Sequence, residues 1–403
     1  MNLSLYIAKR YLIAKKSHNA INIISWISVI SVGIGTFALV VVLSAFNGLE
    51  KLVESLFETF DSDIRIEANT GKVFSEDLID FEKIQTLEGV ANYTRVLEEV
   101  CGVRYREEQT IATIKGVDES FLRMSQLDSA LIDGELVLRA NGVPFAISGY
   151  GIASQLGLYL SKAPENLSIY APKRSIRSLS NPINSVYNKQ IASAGVFYIS
   201  PEYDNKYIVV DLQFAQELLE YKNREISSVE VKIAPNANIE KVTEALKALL
   251  DESKFSVKSR YKFNEIIYKT NQTEKWVTFL ILVFILMLAA FNILSSLSML
   301  ILEKKKDIRT LVSMGAKNSL IRRIFFYEGL LINLSGALGG MLLGVILCLL
   351  QQHVGLLRLD GGIVDYYPVE MNPIELVAIL ITVLIIGFLT SWYPVRNLTK
   401  VKL

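Results

Sequence analysis

Histidine and cysteine are nearly absent from this sequence, with two of each among 403 residues. His18 and His353 stand apart from any Cys, Asp or Glu at metal-ligand spacing, so we expect no metal site. Cys101 and Cys348 lie in regions of different character, the second inside an apolar run. We expect both to be unpaired core residues rather than a disulfide.

Signs of an internal energy source are also missing. No GxxxxGK[ST] loop occurs, so we expect no ATP site, no cofactor and no enzymatic activity in this chain. The long apolar stretches carry no Asp, Glu, Lys or Arg at mid-depth, which disfavours ion-coupled transport. A net charge of +1 provides no basic surplus for nucleic acid. Energy for any transport must therefore come from another protein.

What the sequence has in abundance is apolar residues, at 51%. Four stretches are long enough to cross a hydrocarbon core of about 30 Å, namely residues 21–46, 276–302, 324–351 and 373–392. Lys and Arg cluster before the first, between the second and third, and after the fourth. The positive-inside rule then predicts cytoplasmic termini, with segments 1–16, 303–323 and 393–403 inside and segments 48–272 and 352–372 outside. Residues 1–16 are either an interfacial helix or a basic tail.

The 48–272 segment has the pattern of an α+β domain. Two β-α-β patterns, at 63–106 and 227–260, bracket a β-rich insert at about 104–210. Within the insert, residues 172–190 contain two prolines and several basic residues, which predicts an exposed loop. Apolar residues at helical spacing follow span one and precede span two, as either stalks or ordinary membrane-proximal helices. The predicted fold is a membrane α-helical protein with four transmembrane helices and a large periplasmic α+β domain inserted between helices one and two.

Two features of the membrane part predict contacts. Gly336, Gly340 and Gly344 recur at a spacing of four in span three, a pattern that lets helix backbones approach closely. In the 303–323 loop, Ile308 and Leu311 are apolar positions of a short amphipathic helix. Such a helix is suited to a groove on another protein. The alternative is a basic loop with no docking role.

Four motifs resemble those of the LolC/LolE family of lipoprotein-releasing ABC transporter permeases, within the MacB/FtsX superfamily. They are VLSAFNGLE at 42–50; FNI at 291–293 followed by DIRTL at 307–311 and MGA at 314–316; EGL at 328–330; and YP at 393–394. The order of one span, a large outer domain and three further spans is similar along the whole chain.

The resemblance implies a permease subunit that extracts lipoproteins from the outer leaflet of the bacterial inner membrane and hands them to a periplasmic carrier. A separate cytoplasmic ATPase dimer would bind ATP and Mg²⁺, and a second permease copy or a paralogue would complete the transporter. Macrolide-type efflux and cell-division-type mechanotransmission are the alternatives.

The resemblance also implies three sets of site residues. A coupling helix at 306–321 would contact the ATPase through Lys306, Asp307, Arg309, Thr310, Met314, Gly315, Ala316 and Ile321. Spans one and two would hold the lipoprotein's acyl chains in a cavity formed by Val41, Leu43, Phe46, Ala290, Phe291 and Leu294. The 172–190 loop would bind the carrier through Arg174, Arg177 and Pro182.

Overall fold

The computed structural model describes residues 3–13, 19–158, 166–172, 186–221, 224–359 and 364–397. The chain divides into two compact units. The first comprises Met1–Leu52 and Lys269–Leu403, and the second comprises Val53–Tyr268. We call them the helical unit and the α+β unit.

The helices are given in chain order. They are α1 (Leu3–Ile13), α2 (Asn19–Phe60), α3 (Phe81–Thr86), α4 (Glu119–Met124), α5 (Tyr150–Leu156), α6 (Pro201–Asp204), α7 (Leu212–Leu218), α8 (Ile239–Leu249), α9 (Arg260–Phe263), α10 (Glu265–Glu303), α11 (Lys305–Ser313), α12 (Asn318–Val354) and α13 (Pro373–Asn397).

The strands follow in the same order. They are β1 (Ile64–Ala68), β2 (Phe74–Ser75), β3 (Val90–Tyr105), β4 (Glu108–Val117), β5 (Leu131–Gly134), β6 (Arg139–Ala140), β7 (Val143–Gly149), β8 (Asn166–Pro172), β9 (Val186–Phe197), β10 (Tyr207–Asp211), β11 (Glu225–Ile226), β12 (Ser228–Ile233) and β13 (Phe255–Ser259).

Four helices of the described chain are long and apolar enough to cross a membrane. Their candidate spans are Ile23–Phe60, Glu265–Glu303, Asn318–Val354 and Pro373–Arg396. All four of these helices extend past the predicted spans. Helix α2 continues without interruption to Phe60, and α13 continues through Pro394 to Asn397.

The predicted single helix at 306–321 is wrong. Helix α11 ends at Ser313, and α12 begins at Asn318. Gly315 between them has φ +90°, a left-handed conformation that glycine adopts without steric cost and that ends a helix. Ile321 therefore belongs to α12 and not to the coupling helix.

One large sheet organises the α+β unit. Its strand order is β13-β1-β12-β3-β4-β10-β7-β9-β5. Strand β8 pairs with both β3 and β9, so strands β3, β4, β10, β7, β9 and β8 close into a ring of six. The segment 104–210, expected as a separate β-rich insert, thus continues the same sheet, because long β3 takes part in both regions.

The first strand of the α+β unit is completed by its last strands. Ile64 in β1 pairs with Val231 in β12 on one side and with Ser259 in β13 on the other. Ile64 and Ile66 are both fully buried in the main core of the unit. Helix α8 covers this part of the sheet, with Val242 and Leu246 in the same core. Asn238 caps the N-terminus of α8, and its side chain accepts hydrogen bonds from the amides of Glu240 and Lys241.

The chain ends that leave the α+β unit are anchored in a second, aromatic core. Phe57 and Phe60 from the end of α2 are buried there, and Tyr268 from the start of α10 packs against it. The ring of Phe60 lies 4.9 Å from the rings of Tyr203 and Tyr207. The apolar periodicity after span one therefore belongs to a helix whose end is fixed in the α+β unit.

Candidate functional site

Helix α11 has one buried face and one exposed face. Ile308 is buried among Leu300, Ile321, Phe325 and Val395. On the opposite side Lys306, Asp307, Arg309 and Thr310 are exposed. The spacing that predicted an amphipathic helix thus places Ile308 inward and leaves a charged surface available to another protein.

The turn after α11 presents an apolar tip. Met314 is 79% exposed, Gly315 is exposed and Ala316 is partly buried. An exposed methionine on a charged loop is a flexible apolar contact of the kind found on protein-binding surfaces. Seven of the eight predicted coupling residues therefore share one surface region, and Ile321 is separated from them in the core.

The three glycines of α12 lie where α12 contacts α2. A Cβ on Gly336 would stand 2.6 Å from the carbonyl oxygen of Val29, and one on Gly344 would stand 2.9 Å from Cβ of Val40. A Cβ on Gly340 would overlap the carbonyl oxygen of Gly33. The spacing of four in the sequence thus corresponds to one face of α12 that packs directly on the α2 backbone.

The six predicted acyl-chain residues do not form one surface. Leu43 and Ala290 are buried within the helical unit, whereas Phe291 is 55% exposed. Val41, Phe46 and Leu294 are partly buried. The structure therefore separates the set into residues that pack the helices together and residues that face outward.

A polar cluster that was not among the predicted sites joins three membrane helices. Lys275 of α10 donates to the Glu375 carboxylate of α13, with Nζ 2.7 Å from Oε1. Asn47 of α2 donates to the same carboxylate through Nδ2, 2.7 Å from Oε2. Lys275 also donates to Oδ1 of Asn47. We call these three residues the three-helix latch.

Lys275 and Glu375 of the latch form part of the wall of a cavity of about 310 Å³. Its other lining residues are mostly apolar, and they are Leu43, Glu50, Gln272, Trp276, Phe279, Ala378 and Ile379. The cavity is at the lower end of the size range of ligand pockets. The sequence contains one signal for the latch. Lys275 lies at the predicted start of span two and Glu375 at the predicted start of span four, and both starts were predicted on the same side of the membrane.

The segment before α13 is fastened to α2 beside the latch. The amide of Glu370 donates to the carbonyl of Ser44 over 2.9 Å. A Cβ on Gly48 would overlap the Pro368 carbonyl, so only glycine permits this approach. The Asn47-Gly48 pair of the family motif thus has two separate tasks, a hydrogen bond to Glu375 and close backbone packing.

Four charges lie together in the α+β unit, with Lys115 and Glu230 buried and Arg65 and Glu98 mostly shielded. Lys115 is 1% exposed, and its Nζ lies 2.8 Å from Glu230 and 3.8 Å from Glu98. Arg65 lies 2.8 Å from Glu98 and 3.6 Å from Glu230. Burial opposes ionisation of Glu98, but Arg65 and Lys115 outweigh it and hold the pKa of this carboxyl below its usual range. We call these four residues the buried charge cluster.

Three further predictions concern the carrier loop, a metal site and the two cysteines. Arg174, Arg177 and Pro182 lie outside the described residues. The predicted bounds of their loop, 172–190, are too wide, because Pro172 pairs within β8 and residues 186–190 pair within β9. Within the described ranges, no group of three or more His, Cys, Asp or Glu side chains is arranged to hold a metal ion. Cys101 and Cys348 are both free and buried.

Comparisons with known proteins identify the family. The MacB-like periplasmic core domain matches residues 25–249, and the FtsX-like permease C-terminal domain matches residues 279–403. The lipoprotein-releasing system transmembrane protein LolE of Haemophilus influenzae is 24% identical over 435 residues, covering 100% of this chain and 98% of the relative. LolC of Neisseria meningitidis serogroup B is 25% identical over 425 residues, covering 99% and 97%.

Similarity to solved structures is weaker. The periplasmic region of MacB from Actinobacillus actinomycetemcomitans is 12% identical, covers 54% of this chain and 98% of that chain, and has a TM-score of 0.38. The matched families agree with four candidate membrane helices and a periplasmic domain between the first and second. The chain is a membrane protein that belongs to the MacB/FtsX superfamily and, within it, to the LolC/LolE family.

Proposed function

We propose that this chain is the permease subunit of an ABC transporter that extracts lipoproteins from the outer leaflet of the bacterial inner membrane. A separate ATPase dimer supplies the energy, and a periplasmic carrier receives the lipoprotein. The observation that carries the proposal is similarity along the full length to two lipoprotein-releasing proteins, including both matched domains. The chain itself is not an enzyme and binds no cofactor.

The proposed topology places both termini, α1 and α11 in the cytoplasm and the α+β unit in the periplasm. Helix α11 then meets the ATPase with its charged face and the Met314 tip. A pair of permease subunits, identical or paralogous, encloses the acyl chains between α2 and α10. The exposed side chain of Phe291 faces this space, whereas Leu43 and Ala290 hold the helices together. The segment between β8 and β9 that contains Arg174, Arg177 and Pro182 binds the carrier.

Reconstitution tests the proposed function directly. The permease and its co-purified ATPase are placed in proteoliposomes loaded with a triacylated lipoprotein, and soluble carrier is added with ATP. We expect lipoprotein to appear in the soluble fraction only when ATP and carrier are both present. Absence of release, together with capture of an outer-membrane channel or of a cell-wall hydrolase, would instead support efflux or mechanotransmission.

The coupling surface has its own test. Met314→Glu places a charge on the exposed tip without touching the buried Ile308 core. We expect at least a tenfold loss of ATPase co-purification, because a carboxylate must be desolvated in an apolar groove. Val354→Glu is the matched control, the same type of change at a 60% exposed residue at the other end of α12. Equal retention of the ATPase by both variants would remove Met314 from the interface.

A further inference from the structure

The three-helix latch is built from partners that are shielded on three separate helices. The side chains of Lys275 and Glu375 are 22% and 25% exposed. Each carboxylate oxygen of Glu375 accepts one hydrogen bond, from Lys275 and from Asn47. Charge-assisted bonds with this degree of shielding are stronger than neutral or fully exposed ones. A nearby pair, Lys51 and Glu370, is 65% and 46% exposed and has one contact of 3.0 Å.

Lys275 contributes the α10 side of this network. Helices α2 and α13 are already connected there by the Glu370 amide bond to Ser44 and by the close packing of Gly48. Within the latch, Lys275 connects α10 to both of those helices. Loss of this lysine would therefore release α10 from the latch while the backbone contacts between α2 and the segment before α13 remain.

Helix α10 leads directly from the latch to the candidate ATPase surface. From Lys275 to Glu303 the helix rises about 42 Å at about 1.5 Å per residue. Helix α11 follows after Lys304, and its Ile308 is locked into the core that includes Leu300 of α10. A displacement of α11 is thus transmitted to Leu300, and the latch holds the far end of the same helix.

We propose that Asn47, Lys275 and Glu375 are positioning residues that couple ATP hydrolysis in the partner to lipoprotein release. The inference rests on the proposed function. With the latch intact, a push on α11 moves α2, α10 and α13 together. With the latch broken, the Lys275 end of α10 moves separately from α2 and α13, and hydrolysis proceeds without productive release.

A charge-swap experiment tests this role in the reconstituted complex. Release of lipoprotein and hydrolysis of ATP are measured together for Lys275→Glu, Glu375→Lys and the double swap. We expect each single variant to keep ATPase activity within twofold of wild type while lipoprotein released per ATP falls at least fivefold. The double swap restores the opposite charges of this pair, but Glu50, which lies 3.8 Å from Nζ of Lys275 in the wild type, then faces a carboxylate. We therefore expect release per ATP to recover at least twofold over either single variant. Lys51→Glu is the exposed control and should change neither quantity.

The outcomes separate the two proposals. Two outcomes would overturn the latch while the wild-type complex releases lipoprotein. One is unchanged release per ATP in the single variants. The other is a double swap whose release per ATP is no higher than that of either single variant. Absence of a single variant from the membrane is a further outcome. That result supports the latch only if the double swap restores both the abundance of the protein and its release per ATP, and it contradicts the latch if the double swap does not. Lack of release by the wild-type complex would overturn the proposed function and the latch with it.

Discussion

Replacement of Lys115 by methionine is the sharpest test of the buried charge cluster. Lys115 balances Glu98 and Glu230 together with Arg65, so its removal leaves one guanidinium between two buried carboxylates. The ammonium also lies 4.6 Å from the ring centre of Phe60 and 4.9 Å from that of Phe121. Methionine is an unbranched, flexible residue that can fill most of the space, so the change acts mainly through charge.

The expected cost follows from the burial of the pair. Removal of one partner from a buried ion pair costs about 3–5 kcal/mol. In a unit of about 200 residues each kcal/mol lowers Tm by about 2–4 °C, so we expect a decrease of about 6–20 °C. The assay is thermal unfolding of the purified full-length protein in lipid nanodiscs at pH 7.5, monitored by circular dichroism and by light scattering.

Two comparisons show whether charge is the cause. Lys72→Met removes a 77% exposed lysine from its 2.9 Å contact with Glu99, and it should cost at most about 1 kcal/mol. The double variant Lys115→Met with Glu230→Gln leaves Arg65 opposite Glu98, and it should be more stable than the single Lys115 variant. A Lys115→Met protein that melts within 2 °C of wild type would refute the reasoning.

Two further predictions concern other parts of the chain. Gly340→Val should lower Tm and lipoprotein release, because its Cβ would overlap the Gly33 carbonyl and overpacking costs about 1–3 kcal/mol. Gly339→Val is the control. A Cβ at Gly339 meets no atom within 4 Å, so this change should have little effect on Tm. Burial raises the pKa of Asp204 to about 6, compared with about 4 in the unfolded chain. The protonated carboxyl is therefore favoured in the folded state. Its contribution to stability is fully present below about pH 4 and is lost as the pH rises through about 6. Asp204→Asn should therefore raise the free energy of unfolding by about 1–2 kcal/mol at pH 7.5. Denaturant unfolding at several pH values should show that this gain over wild type disappears near pH 4. A gain that is independent of pH would contradict the assignment.

Local periodicity was sufficient to predict several elements. The β-α-β patterns at 63–106 and 227–260 predicted the strands β1 and β12 and the helix α8, because the burial of one face repeats every two residues in a strand and every 3.6 residues in a helix. The glycines of α12 were informative for the same reason, since a spacing of four keeps them on one helix face.

Features that depend on distant pairing could not be predicted. Closure of the six-strand ring requires Gly102 in β3 to pair with Tyr170 in β8, and no local pattern specifies this pair. The latch joins residues that are 228 and 328 positions apart. Each of its side chains is an ordinary polar residue near the boundary of a predicted span until the helices pack. The break at Gly315 was missed because periodicity continues across it, while a single backbone angle ends the helix.

The completion of β1 by β12 and β13 has a consequence for the biosynthesis of the protein. Ile64 is made about 195 residues before its partner Ser259, and synthesis at about 5–20 residues per second separates them by about 10–40 s. For most of that time β1 has neither of its neighbours, because Val231 of β12 follows Ile64 by 167 residues. A ribosome stalled before residue 255 would leave β1 without β13 and the sheet open at that edge.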